Sequence, residues 1–176
     1  MTSSSRHVSR GFFLLVALLG TSALAQSGIH ALTCIGTQEM TFAPGLKILP
    51  VDVTLSASAN LDTCWSLDTD VTSATFQVEV TGSGSCARGS YHDEIVITWN
   101  TGETSTLSMN NPVEVRPLSP SGTTAYGRVV SGRFEGSLVA TTLQTIPGEH
   151  DLLDCLTGGL TQSMGLVSLS LIQLQP

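Results

Sequence analysis

Residues 148–155 read Gly-Glu-His-Asp-Leu-Leu-Asp-Cys, the densest concentration of chemistry-bearing side chains in the chain. A histidine among carboxylates could act in acid–base catalysis or hold a metal, and His150 and Asp154 stand four apart, a spacing that puts both on one side of a helical turn. Two ligands do not close a metal site, and the two-histidine helical zinc motif is missing. Following Pro147-Gly148, the stretch reads as a short helical turn over 149–156. On that reading Leu152, Leu153 and Leu156 pack on the neighbouring structure, and Glu149, Asp151 and Asp154 face water. Acidic residues in a first helical turn are favoured by the backbone dipole alone.

A second cluster, Tyr91-His92-Asp93-Glu94, lies at the start of a strand. Successive side chains of an extended segment point to opposite faces, so adjacent His92 and Asp93 cannot align as a base and its orienting acid. Of the many serines none lies in a nucleophile elbow, so a serine hydrolase would need a site assembled across space. Paired carboxylates for glycoside hydrolysis stay open, because sequence does not set their separation. Asp62, Asp68 and Asp70 around Cys64-Trp65 form an oxygen-rich loop and are the calcium candidates, although their spacing matches no helix-loop-helix calcium site. Trp65 is the candidate binding ring, and Trp99 is assigned to the core. No catalytic residue and no cofactor motif is identified, which favours a non-enzyme.

The elements that position these residues follow from the rest of the chain. Arg6 and Arg10 precede the apolar run Phe12–Leu19, and small residues lead to Ala23-Leu24-Ala25, which is the layout of a cleaved secretory signal over 1–25. The run is far shorter than the roughly 20 residues a spanning helix needs. Residues 26–176 then form a single exported domain, with no membrane span after cleavage. That domain keeps five of the seven basic residues and all fourteen acidic ones, a formal charge of −9. Such a balance, with no basic cluster, repels nucleic acid and anionic membranes.

All four cysteines lie in this part, and an even number in an exported chain indicates two disulfides. If Ala43-Pro44-Gly45-Leu46 turns a hairpin, Cys34 approaches Cys64. That favours Cys34–Cys64 with Cys86–Cys155 among the three possible pairings.

Alternation with period two dominates from residue 33, in 51–57, 74–80 and 167–171. Residues 94–99 and 103–109 read as a hairpin about Asn100-Thr101-Gly102, with Ile95, Ile97 and Trp99 inward. Gly127, Gly132 and Gly136 punctuate a strand pattern, as bulges and sharp bends do. The expected fold is all-β, antiparallel and mostly meander, a two-sheet sandwich or flattened barrel of about eight or nine strands with one helical turn near 149–156.

The motifs Thr33-Cys34-Ile35-Gly36-Thr37, Pro44-Gly45-Leu46, Trp99-Asn100-Thr101-Gly102, the glycine-spaced 127–136 and Asp151–Cys155, in this order with the four cysteines, resemble those of small secreted β-rich proteins of actinobacterial type. The resemblance covers nearly all of residues 33–172 and implies fold and export. It brings no catalytic or ligand residue to any position. The readings that follow are a secreted, non-catalytic domain binding an extracellular protein or cell-envelope component through its surface, a barrel-type carrier of a small apolar ligand, and a hydrolase with a spatially assembled site.

Overall fold

Alternating segments become the wall of a barrel when one side of every strand finds a common interior. In the computed structural model, which describes residues 29–66, 70–92 and 94–174, these segments are β1 (Ile29–Leu46), β2 (Val51–Trp65), β3 (Ala74–Gly84), β4 (Gly89–Tyr91), β5 (Glu94–Trp99), β6 (Thr104–Met109), β7 (Val113–Val115), β8 (Thr123–Gly132), β9 (Leu138–Ile146) and β10 (Leu160–Leu174). The one helix among the described residues, α1 (Asp151–Leu156), joins β9 to β10. The expected signal at 1–25 lies outside the described residues. No helix among those described is long and apolar enough to cross a membrane.

The strands form one antiparallel sheet in the order β2-β1-β10-β9-β8-β6-β5-β3, and β3 pairs back onto β2 from Val51↔Gly84 to Leu61↔Ala74. This pairing closes an eight-stranded barrel, with β4 and β7 as an added ribbon. The alternative of two packed sheets is thereby replaced: closure leaves one continuous wall, and the described residues form no separate second sheet. A barrel of about eight strands has an interior that side chains can just fill.

Two buried clusters fill most of it. At one end Trp99, Ile97, Leu61, Leu107 and Leu169 pack together, and at the other Met40, Phe42, Leu46, Leu55, Tyr91 and Leu160 do so. A disulfide accompanies each cluster. Cys34 and Cys64 are directly opposed on β1 and β2 and are bridged, and Cys86 is bridged to Cys155 of α1.

At the tryptophan end, Trp99 donates its indole N–H to Ser105 Oγ at 2.8 Å, and its ring meets Phe134 edge-on at 5.3 Å. Phe134 sits at φ 63° between Gly132 and Gly136, both at 85°, in the turn from β8 to β9. A non-glycine residue in that region carries strain of about 1–3 kcal/mol, here held by the ring's packing on Trp99. Arg133 lies over the Phe134 ring and joins Asp70 at 2.6 Å and Glu103 in ion pairs.

The first hairpin turns later than expected. β1 runs through Ala43–Leu46, where the Ala43-Pro44 bond is cis, and the chain reverses over exposed residues 47–50 instead. Gly45 there passes so close to the backbone of Gly159 that a side chain would collide with it, so this segment is packed against the β10 side and is not free to form the turn.

Candidate functional site

Helix α1 contains the opening cluster. Ahead of it the chain is folded back by Asp151, whose carboxylate accepts the Gly148 N–H at 2.7 Å, and His150 precedes the helix without a side-chain capping bond. The helix ends as glycine permits: Gly159 adopts φ 103° and its N–H returns to the Asp154 carbonyl at 2.6 Å. Glu149, His150 and Asp154 are exposed.

The expected packing of Leu152, Leu153 and Leu156 is overturned, since these side chains are 58%, 58% and 61% exposed. At about 100° per residue the three leucines share one side of the helix, and Cys155 lies on another. The bridge to Cys86 decides which side faces the barrel, so Cys155 goes in and the leucines go out.

Beside α1, Cys86 also holds the reversal between β1 and β2. Its N–H donates to the Lys47 carbonyl at 2.9 Å. That loop presents Ile48 and Leu49, 54% and 74% exposed. Five large aliphatic side chains are therefore displayed at the end of the barrel that the Cys86–Cys155 bridge holds. The acidic residues of α1 border them, with Lys47 and Arg88 nearby in sequence.

The other predicted residues are scattered. His92 and Glu94 are exposed on the outer face, Tyr91 is buried on the inner one, and Asp93 lies outside the described residues. Of the calcium candidates, Asp62 is exposed on β2, Asp68 lies outside the described residues, and Asp70 is neutralised by Arg133. Among the described residues no group of three His, Cys, Asp or Glu side chains could hold a metal ion. Trp65 is 54% exposed at the end of β2, opposite Thr33 and next to the Cys34–Cys64 bridge.

Among the described residues two ion-paired groups of charges stand out: Arg116 and Glu114 pair at 3.0 Å beside the β4–β7 ribbon, and a larger cluster surrounds Arg133 at the tryptophan end. Hydrogen bonds from Arg133 and then Thr101 hold the Glu103 carboxyl below its ordinary range. Burial would lower the Arg133 value, but its bonds to Glu103 and Asp70 outweigh that and raise it.

Between the two buried clusters, at the waist of the barrel, a cavity of about 60 Å³ remains. Its walls are apolar, among them Leu55, Val78, Ile95, Ile97 and Leu107, and no charged residue lines it. Two polar side chains reach it from β1 and β9. Thr141 donates its hydroxyl to the Ser168 carbonyl at 3.1 Å. Gln38, 3% exposed, makes one side-chain contact, from Nε2 to the Met40 sulfur at 4.0 Å. A thioether is a weak acceptor, and a buried amide without good partners costs about 1–3 kcal/mol.

Tyr91 borders the same space and is held above its ordinary pKa by burial. Its hydroxyl is buried and lacks a hydrogen-bond partner, and its ring covers Gly84 and Gly89, where a methyl would come within 2.6 and 2.7 Å of it.

The sequence reading missed this cavity, although a signal exists. Leu32, Cys34, Met40 and Phe42 mark the inward parity of β1, and Gln38 is a buried polar residue on it.

No protein-family model matches the chain, and no curated protein matches it.

Proposed function

We propose that the protein is an exported, non-catalytic barrel that binds a protein partner through its disulfide-held end. The partner's chemistry is an apolar groove with a basic rim. One observation carries this reading: Ile48 and Leu49 on a loop, and Leu152, Leu153 and Leu156 on helix α1, are each more than half exposed on segments that Cys86 and Cys155 tie down. Displaying aliphatic side chains to water has no stabilising value to the monomer, and where such side chains form a patch they mark an interaction site. Glu149, Asp151 and Asp154 beside the leucines, with the acidic balance of the whole domain, supply the charge complementarity for a basic rim. Export accords with two disulfides, which persist in oxidising compartments. The likeness to small secreted actinobacterial proteins points the same way.

The test places a photo-crosslinking residue at Leu153 and, as a control on the barrel wall, at Val96. The reading expects saturable crosslinks in the producing cell's envelope and medium from Leu153 alone. They should weaken with salt and disappear in a Leu152→Glu, Leu156→Glu variant. Equal capture from both positions overturns it, as does capture of glycan in place of protein. Concentration-dependent self-association through the leucines would assign the surface to a second copy instead.

A second reading, the carrier of a small apolar ligand, is favoured by the waist cavity. Its volume, about 60 Å³, is far below the roughly 300–1,000 Å³ of pockets for drug-sized molecules, which excludes a lipid-sized cargo at rest.

A further inference from the structure

We propose that the waist cavity is a binding site for a small neutral molecule with an apolar body and one hydrogen-bonding end, which the Gln38 amide holds. The proposal rests on the carrier reading and names its ligand class.

Three features of the cavity define that class. Its walls come from Leu55, Val78, Ile95, Ile97 and Leu107, so the body of the ligand must be apolar. No charged side chain lines it, so an ion would lose its water without gaining a counter-charge; the ligand must be neutral. Gln38 is buried on the inward face of β1 with only the Met40 sulfur, 4.0 Å away, as partner. A primary amide offers both donors and an acceptor, so the end it holds is a hydroxyl, carbonyl or amide. At about 60 Å³ the space is less than half the roughly 150 Å³ of a dry cavity that takes benzene, which limits the ligand to a molecule of about half benzene's bulk, a chain of very few heavy atoms.

Beside the cavity the ladder from β3 to β5 and that from β3 to β4 are separate. β3 pairs with β5 up to Phe76↔Ile97 and with β4 at Gly84↔Gly89, and between these points the described residues form no ladder pair. Val78 and Val80 on β3 face Tyr91 and Ile95 across this gap, and all four line the cavity.

Xenon, ethanol and acetate are the probes, read by xenon NMR and by methyl shifts of Met40, Val78 and Leu107. Xenon and ethanol should both bind saturably, with acetate weaker by at least about tenfold, as an unpaired buried charge requires. Gln38→Leu, with Gln38→Met as a second variant should the first fail to fold, should weaken ethanol by about five- to tenfold, the worth of one hydrogen bond, and leave xenon unchanged. Ala57→Leu, which fills the cavity from β2, should exclude both. If xenon binds but ethanol is indifferent to Gln38, the ligand class is wrong and the carrier reading stands. If acetate binds as well as ethanol, the class is likewise wrong. If neither xenon nor ethanol reaches the wild-type cavity, the carrier reading falls and this proposal with it. A long-lived water on the Gln38 amide that saturating ethanol does not displace also overturns it.

Discussion

At the tryptophan end, Trp99, Phe134 and Arg133 close the barrel with an edge-on ring pair, an indole hydrogen bond and an ion-pair cluster whose members come from distant parts of the chain. At the opposite end, aliphatic side chains point into water, and the covalent Cys86–Cys155 bridge does the holding. The Cys34–Cys64 bridge at the tryptophan end joins residues already opposed in a ladder, so it adds to an arrangement that hydrogen bonds also define. The contrast shows how a domain keeps apolar groups on display: where packing is forgone, a cross-link takes over the positioning.

The strongest way to break this contrast is Trp99→Ala. Removing a fully buried indole should cost about 5 kcal/mol, the upper part of the range for such truncations, because Phe134 and Ser105 lose their partner together. Chemical denaturation at neutral pH measures it.

Replacing Cys86 and Cys155 by alanine comes next. The bridge spans 69 residues in sequence. Its loss should cost on the order of 4 kcal/mol by the chain-entropy account. Hydrogen exchange should rise across residues 148–159 and spare residues 99–105 and 133–137. Equal exchange at both ends would show that the bridge stabilises the whole barrel and does not position one end.

Arg133→Met sharpens the comparison through pH. The Glu103 carboxyl is lowered in the folded state by Arg133, so its contribution is present above the unfolded carboxylate pKa and is lost as pH falls through the lowered folded value. Wild type should therefore exceed the variant in stability at neutral pH, and the two should converge in acid. Both carboxylate partners are well exposed, so the difference stays small.

The smallest effect belongs to Leu152→Ser and Leu153→Ser, which should change stability by no more than about 0.5 kcal/mol because neither side chain is buried. If their function is display, crosslinking from this end falls sharply while the melting temperature stays put.

The wall of the barrel was readable in the chain, and so was the hairpin about Gly102, which takes the positive φ of 84° that its turn requires. Alternation is a local property, and each strand states for itself which parity is apolar. The leucines of 152–156 were misread because a short helix with two possible buried sides does not declare which one faces in; a bond to a residue 69 positions away decides it. The waist cavity was invisible for a related reason. Gln38 breaks the apolar parity of β1, but whether a buried amide meets a partner or a void depends on side chains from β2, β3, β5, β6 and β9.

Sequence by itself determined that this protein would be an antiparallel β structure with four cysteines in the body of the chain, since period and composition act within each segment. Only the tertiary structure decided that the wall closes through β2 and β3, that the helix shows its leucines to water, and that the core divides around an apolar gap. Those outcomes turn on ladder register, a distant covalent bond and the volume left when opposing side chains meet, none of which a single strand can specify.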